Sequence, residues 1–283
     1  MTASNISLQK QIEERAQVED SVRTIDLRHI RKLAQSFYCS VRDVELAALE
    51  MEIAPRRYLR NLGTVGFEGQ ARLLRATVAI VGLGGLGGYV TESLARMGVG
   101  RLILIDGDVF EEHNLNRQLL SAEGRLGTPK VTVAQQRVAE INGAVETTGH
   151  AERLTRENLP RLLAGADLVV DGLDRLPTRL ILQQGAQALG IPMVYGSIAG
   201  FLGQVMTILP GDPGLLGLYG EPDELPEQGL EVQLGTPAAT PMAVAAWEAQ
   251  EAVKTLLNQG ELIRHRLLVI DMESGIVETL QLD

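Results

Sequence analysis

Hydrophobic positions along the chain change their period after the first fifty residues. Up to residue 52 the pattern is helical. Ile25, Leu27, Ile30, Leu33 and Phe37, then Val44, Leu46 and Leu49, recur at near-helical spacing on either side of Tyr38-Cys39-Ser40, with no Pro or Gly between residues 1 and 52. This predicts two amphipathic helices in a helical N-terminal extension, residues 1–52, ahead of a main domain over residues 53–283. From residue 77 onward the pattern is one of short, unbroken apolar runs. Residues 77–81, 101–105, 167–170, 192–195 and 204–209 read as buried strands, and helical patterns at 89–97, 131–141, 178–189 and 241–257 separate or follow them. Such alternation predicts an α/β fold with a mostly parallel sheet covered on both faces. Residues 267–271 and 276–282 flank Glu273-Ser274-Gly275 and read as an antiparallel hairpin continuing that sheet at the C-terminal end. The stretch 211–237, rich in Gly, Pro and acids, reads as a long loop.

Composition narrows the function classes. The 283 residues are 45% hydrophobic and 22% charged, an ordinary globular balance. A net charge of −10 disfavours nucleic acid and anionic membranes as partners. The two N-terminal helices resemble a helix-turn-helix in spacing. The second, however, carries Asp43, Glu45, Glu50 and Glu52 against Arg42, so phosphates would repel it, and the extension reads as a packing or partner-docking element. A single cysteine, Cys39, excludes an internal disulfide and a multi-cysteine zinc site. Residues 1–15 are polar, and the longest uncharged run, 76–91, is short and broken by glycine, so the expectation is a cytoplasmic protein with no membrane segment.

The run Gly82-Leu83-Gly84-Gly85-Leu86-Gly87 follows a predicted strand and opens a predicted helix, and Asp106 ends the next strand 24 residues after Gly82. Glycines allow phosphate to approach the backbone, the helix N-terminus offers free N–H groups, and the acid accepts hydrogen bonds from ribose hydroxyls. This is a Rossmann-like nucleotide-binding pattern. It does not separate NAD from ATP, and at this point a dehydrogenase remains open.

The residues after Asp106 are more specific. The stretch Asp106-x-Asp108-Val109-x-x-x-x-Asn114-x-x-Arg117-Gln118 resembles the signature of the MoeB/ThiF/HesA family of ubiquitin-activating-enzyme-like adenylating proteins. Gly127-x-x-Lys130, Asp171-Gly-Leu-Asp174 and Arg179 come next in the family's order, and Arg57-Tyr58-Leu59-Arg60 and Gly69-Gln70 match upstream segments, so the similarity spans about residues 55–283. The resemblance implies ATP and Mg²⁺ as cofactors and adenylation of the C-terminal carboxylate of a small ubiquitin-like sulfur carrier ending in Gly-Gly. It further implies that Arg117 and Lys130 contact phosphates, Asp106 binds ribose, and Asn114 and Gln118 help hold the nucleotide. Asp174 would hold Mg²⁺, and Arg60 would act from the partner subunit of a homodimer. Gly82, Gly84, Gly85 and Gly87 would form the phosphate cradle, and Asp108 would share ribose binding and local hydrogen bonding with Asp106.

The chemistry agrees with that assignment on its own terms. A carboxylate attacking the α-phosphorus of ATP brings two anions together, and cations must offset their repulsion; Arg117 and Lys130 are such cations. Nothing in the chain resembles the acid/base pair of a hydride-transfer enzyme. Some relatives bind zinc through two CxxC pairs, whereas this chain has Gly214 and Gly217 at the first pair and no second pair, so no zinc is expected. Nor does any cysteine lie near Glu231, where relatives of this type place a reactive thiol, so the expectation is adenylation with the sulfur step left to another protein. Trp247 reads as core or dimer packing and His113 as solvent-facing. Two other readings of the same fold are a dehydratase that activates a carboxylate on threonylcarbamoyladenosine in tRNA, which the acidic charge disfavours, and a non-catalytic scaffold, against which the retained charged residues argue.

Overall fold

A computed structural model describes residues 3–220 and 231–282. The N-terminal part comprises α1 (Ala3–Arg15), β1 (Gln17–Glu19), β2 (Val22–Ile25), α2 (Leu27–Phe37), α3 (Val41–Glu50) and β3 (Ala54–Pro55). The expected helices α2 and α3 are present, each started by a side chain that satisfies free backbone N–H groups. Asp26 accepts from the His29 N–H, and Ser40 with Asp43 forms a capping box. The segment is not helical throughout. A hairpin, β1–β2, turns at Asp20 and Ser21 with positive φ, and β2 also pairs in parallel with β3. Leu8, Ile12, Ile25, Ile30, Leu33, Val44 and Ile53 give this part a small core of its own.

The remainder runs α4 (Leu62–Arg75, kinked at Gly66), β4 (Thr77–Val81), α5 (Gly87–Met97), β5 (Arg101–Ile105), α6 (Lys130–Ile141), β6 (Glu146–His150), α7 (Leu159–Leu162), β7 (Leu168–Asp171), α8 (Leu176–Ala188), β8 (Met193–Ala199), β9 (Leu202–Ile208), α9 (Gly214–Tyr219), α10 (Glu231–Leu234), α11 (Ala239–Leu257), β10 (Arg266–Asp271) and β11 (Ile276–Gln281). The eight-stranded sheet has the order β11-β10-β9-β8-β7-β4-β5-β6. Strands β8, β7, β4, β5 and β6 are parallel, and β9, β10 and β11 continue the sheet antiparallel; the mostly parallel sheet and the C-terminal hairpin β10–β11 are as the sequence predicts, and β9 joins them as a further antiparallel strand. The period of two divides the apolar runs between two layers. Val78, Ile80, Leu102 and Leu104 face α5, α6 and α11, while Ala79, Val81, Ile103 and Ile105 face the layer built by α7, α8 and α9. The chain leaves β4 toward β5 on one side and later returns to β7 on the other. The carboxyl end of β4 is therefore the switch point, where such sheets bind ligands.

Three differences from the sequence reading have physical causes. Strand β6 carries Glu146-Thr147-Thr148-Gly149-His150 at the sheet's edge, where partial exposure removes the need for an apolar run; a Cβ on Gly149 would collide with Val131 and Gln135 of α6. The stretch 211–237 is not all loop. Helix α9 buries Leu215 and is tied to α8 by Gln183, which donates to the Pro213 carbonyl at 2.9 Å and accepts from the Leu215 N–H at 2.8 Å; residues 221–230 of that predicted loop lie outside the described residues. Trp247 is 40% exposed on α11, which sets aside the core half of its expected role and leaves the other, dimer packing.

The two parts are joined by a buried polar latch. Tyr58 donates its hydroxyl hydrogen to Glu45 of α3 at 3.0 Å and accepts from Asn142 at 2.8 Å, and Arg57 contacts both Glu45 and Asn142. Burial pushes the Glu45 carboxyl up to about 7, outweighing the opposing pull of Arg57 and Tyr58. The Tyr58 ring lies against Gly98, where any Cβ would strike it.

Candidate active site

The turn after β4 is shaped by backbone contact. Gly82 has φ +89°, and a Cβ there would collide with the Gly172 carbonyl just after β7. A Cβ on Gly172 would come to 2.5 Å from the Gly82 oxygen, and one on Gly87 would strike that same oxygen. These three glycines let the turn press on the end of β7, and the Gly82 and Gly172 N–H groups each donate at 2.8 Å to a neighbouring strand end, at Ile105 and Val81 respectively. Gly84 and Gly85 differ. A Cβ there would meet only the Gln118 amide at 3.4 Å and Pro241 at 3.5 Å, which are ordinary contacts. Packing alone does not demand glycine at 84 and 85; they leave the crest of the turn bare.

Charged residues gather at this same carboxyl end. Asp106 is mostly buried, and its two oxygens accept the N–H groups of Leu83 at 2.7 Å and Asp108 at 2.8 Å. Burial raises its carboxyl above the usual range even with Lys130 pulling the other way. Lys130, the buried first residue of α6, places its ammonium 3.9 Å from Asp106 and 3.5 Å from Asp108. Asp108 also pairs with Arg153 at 3.0 Å; partial burial pulls its carboxyl up, but Lys130 and Arg153 together hold it below the ordinary value.

Arg117 donates to the His113 carbonyl at 3.0 Å and to Asn116 at 2.8 Å, and its alkyl stem lies 3.9 Å from where a Cβ on Gly85 would stand. Partial burial lowers its basicity, and the negative charge of Asp174 acts against that. Gln118 is buried over Gly84, and its side-chain amide oxygen has no hydrogen-bond partner among the described residues. Asn114 is buried and already engaged. Its side-chain oxygen accepts from the Glu111 N–H at 3.0 Å and its carbonyl from the Gln118 N–H at 2.9 Å, so it builds the turn that carries Arg117 and Gln118. His113 is exposed.

Asp174 is exposed, two residues beyond Gly172. The cluster thus brings together Gly82, Gly84, Gly85, Gly87, Asp106, Asp108, Asn114, Arg117, Gln118, Lys130 and Asp174. It does not include Arg60. That side chain is 87% exposed and lies 3.7 Å from Asp20 at the tip of the β1–β2 turn. Tyr58, two residues earlier, packs against Gly98 and Asn142, which end α5 and α6 at the opposite, amino-terminal ends of the parallel strands. Sequence reasoning assigned no role to Gly172, Asp171 or Arg153. The first two stand inside the quoted Asp171-Gly-Leu-Asp174 motif, whereas nothing local to Arg153 points to Asp108.

The arrangement fits a nucleotide. A bare glycine crest, the unpartnered Gln118 oxygen and two cations within one cluster suit a polyphosphate attached to a ribose and base. It also fits a hard divalent cation carried by that nucleotide. No group of three or more His, Cys, Asp or Glu able to hold a metal occurs among the described residues, so a cation at Asp174 would take its other ligands from phosphate oxygens and water, as Mg²⁺ does.

Residues 58–283 match the ThiF family. The chain belongs to this family. ThiF proteins are adenylating enzymes related to the E1 enzymes of ubiquitin-like systems, and this one is an enzyme of that class. The SAMP-activating enzyme E1 of Haloferax volcanii is 38% identical over 229 residues, covering 79% of this chain and 84% of its own. The sulfur carrier protein adenylyltransferase of Thermus thermophilus is 39% identical over 223 residues, covering 76% of this chain and 82% of its own. The crystal structure of E. coli MccB with ATP shares the fold of this ThiF protein, with a TM-score of 0.68 at 21% identity over 80% of this chain and 70% of that one.

Proposed function

We propose that this ThiF protein is a Mg²⁺- and ATP-dependent adenylyltransferase for the C-terminal carboxylate of a ubiquitin-like sulfur carrier ending in Gly-Gly. The reading is carried by one observation: Arg117 and Lys130 flank a glycine crest whose openness packing does not require. A carrier carboxylate oxygen bonds to the α-phosphorus of ATP as the bond to the β-phosphate oxygen breaks, leaving acyl-adenylate and pyrophosphate. Both reactants are anionic, and Arg117 and Lys130 lower the cost of their approach. Asp106 orients the ribose, Asp108 tethers Lys130, and Gln118 offers an acceptor above the crest. Asp174 is the residue that would hold Mg²⁺, which would supply positive charge against the negative charge of the departing pyrophosphate.

Because Arg60 stands outside its own chain's cluster, we assign it to the site of a second copy in a homodimer, where a further cation would meet the phosphates. Cys39 lies on the N-terminal part and is the one cysteine of this sequence, so the reading gives residues 58–283 no thioester or persulfide step of their own. Gly214 and Gly217 supply no metal ligands, and nearby Asp212 pairs with Arg264 through two contacts of 2.7 and 2.8 Å, which supports a zinc-free fold. The test is ATP–pyrophosphate exchange against a panel of ubiquitin-like proteins. Stimulation by one carrier, lost when its last two glycines are removed, is expected; no stimulation by any carrier would overturn the proposal.

A further inference from the structure

Asp174 follows Leu173, a residue held on both of its backbone polar groups. The Leu173 N–H donates to Asp171 at 2.9 Å, and the Leu173 carbonyl, half of the peptide bond to Asp174, accepts from Arg179. The other arm of the Arg179 guanidinium donates to the Gly196 carbonyl of β8 at 2.7 Å, and the group lies 5.2 Å above the Tyr195 ring. Arg179 and Asp171 are both buried, 3.7 Å apart. A second buried carboxyl, Glu248 of α11, is packed so closely on Gly196 that a Cβ there would collide with it, and neither of its oxygens has a hydrogen-bond partner among the described residues.

One guanidinium facing two buried carboxyls is an expensive arrangement. Loosely satisfied buried charges are often matched or bettered in stability by apolar side chains of similar volume. Stability therefore does not account for the cluster, whereas two of its hydrogen bonds converge on the backbone of one residue, Leu173. Fixing the Leu173 backbone restrains the stem of the exposed Asp174 carboxylate that follows it.

We propose that Arg179 is a positioning residue for Asp174: it holds the Leu173 carbonyl while Asp171 holds the Leu173 N–H, and so sets where the Asp174 carboxylate meets a nucleotide-bound divalent cation. This rests on the reading of Asp174 as the residue that holds that cation. Arg179 itself touches neither nucleotide nor metal.

The experiment is equilibrium binding of a non-hydrolysable ATP analogue, followed by calorimetry with and without Mg²⁺, and by the electron paramagnetic resonance spectrum of Mn²⁺ in its place. In Arg179→Lys and Arg179→Met the metal-free affinity is expected to hold, while the gain contributed by the metal falls by about 10–100-fold, the usual cost of losing a group that orients a metal ligand. Asp174→Asn loses the same gain, and Asp174→Asn combined with Arg179→Lys is no worse than Asp174→Asn alone. Lysine retains the charge but cannot span both carbonyls, so Arg179→Lys carries the test if the methionine variant does not fold. A wild-type metal gain in the Arg179 variants, with the gain lost in Asp174→Asn, overturns the positioning role and leaves the proposed function standing. A wild-type gain in Asp174→Asn overturns both.

Discussion

Tyr58 and Glu45 meet at 3.0 Å inside the seam between the N-terminal part and the nucleotide-binding part, with both side chains fully buried. The Glu45 carboxyl is pushed up to about 7, from an ordinary 4.5. Its raised folded-state value means the folded protein binds that proton more tightly than the unfolded chain does. The stability it contributes is full below pH 4.5 and is lost as pH rises through 7. At about 1.4 kcal/mol per pKa unit, the loss is on the order of 3 kcal/mol. Thermal denaturation of the wild type should therefore show a falling Tm between pH 5 and 8, and Glu45→Gln should remove most of that slope. An unchanged slope would show that the latch does not titrate.

The glycines of the turn are expected to fall into two kinds. Gly172→Ala puts a Cβ against the Gly82 oxygen, a backbone clash that no rotamer relieves, and should cost about 2–4 kcal/mol of stability. Gly85→Ala meets only ordinary contacts and should leave stability within about 1 kcal/mol of wild type while weakening nucleotide binding. Thermal denaturation with and without ATP separates the two. Equal destabilisation by both variants would mean that Gly85 is kept for packing.

Lys130 and Arg117 should differ in the same sense. Lys130→Met strands Asp106 and Asp108 beside each other, so its Tm should drop at neutral pH and recover on acidification as those carboxyls take up protons. Arg117 is exposed in part and pairs with no buried acid, so Arg117→Ala should keep the wild-type Tm and still lower pyrophosphate exchange by about 10²–10³-fold. Exchange at the wild-type rate in Arg117→Ala would remove that residue from the reaction.

The assignment of Arg60 to a second copy predicts complementation. Arg60→Ala and Arg117→Ala proteins, each impaired alone, should regain part of the exchange activity when mixed and allowed to swap subunits, because one mixed site holds both intact arginines. Two impaired proteins that stay impaired in the mixture, with subunit exchange verified, would place Arg60 elsewhere.

Strands β4, β5 and β7 were legible because each is buried on both faces and so consists of apolar residues throughout. The turn after β4, the Asp106-to-Gln118 signature and Lys130 were legible because they are local in sequence. Gly172 was not, since its reason for being glycine is a contact with Gly82, and β7 lies next to β4 only after the chain has built β5 and β6. Strand β6 was missed because an edge strand beneath one helix needs little apolar surface. The β1–β2 hairpin was missed because its turn uses Asp20 and Ser21 in the left-handed region rather than Asn-Gly or Asp-Gly. Helix α9 was hidden by the glycines and prolines around it, and what holds it is Gln183 from a helix earlier in the chain.

The ammonium of Lys130 has a further consequence, because Asp106 and Asp108 already neutralise it within the chain. On the proposed function, an incoming triphosphate would find no naked cation at that end of the crest and would have to compete with a resident acid to engage it. Arg117, facing a single exposed carboxylate, carries the less compensated charge. On the proposed function, the first electrostatic grip on an approaching nucleotide would therefore fall to the arginine side of the turn.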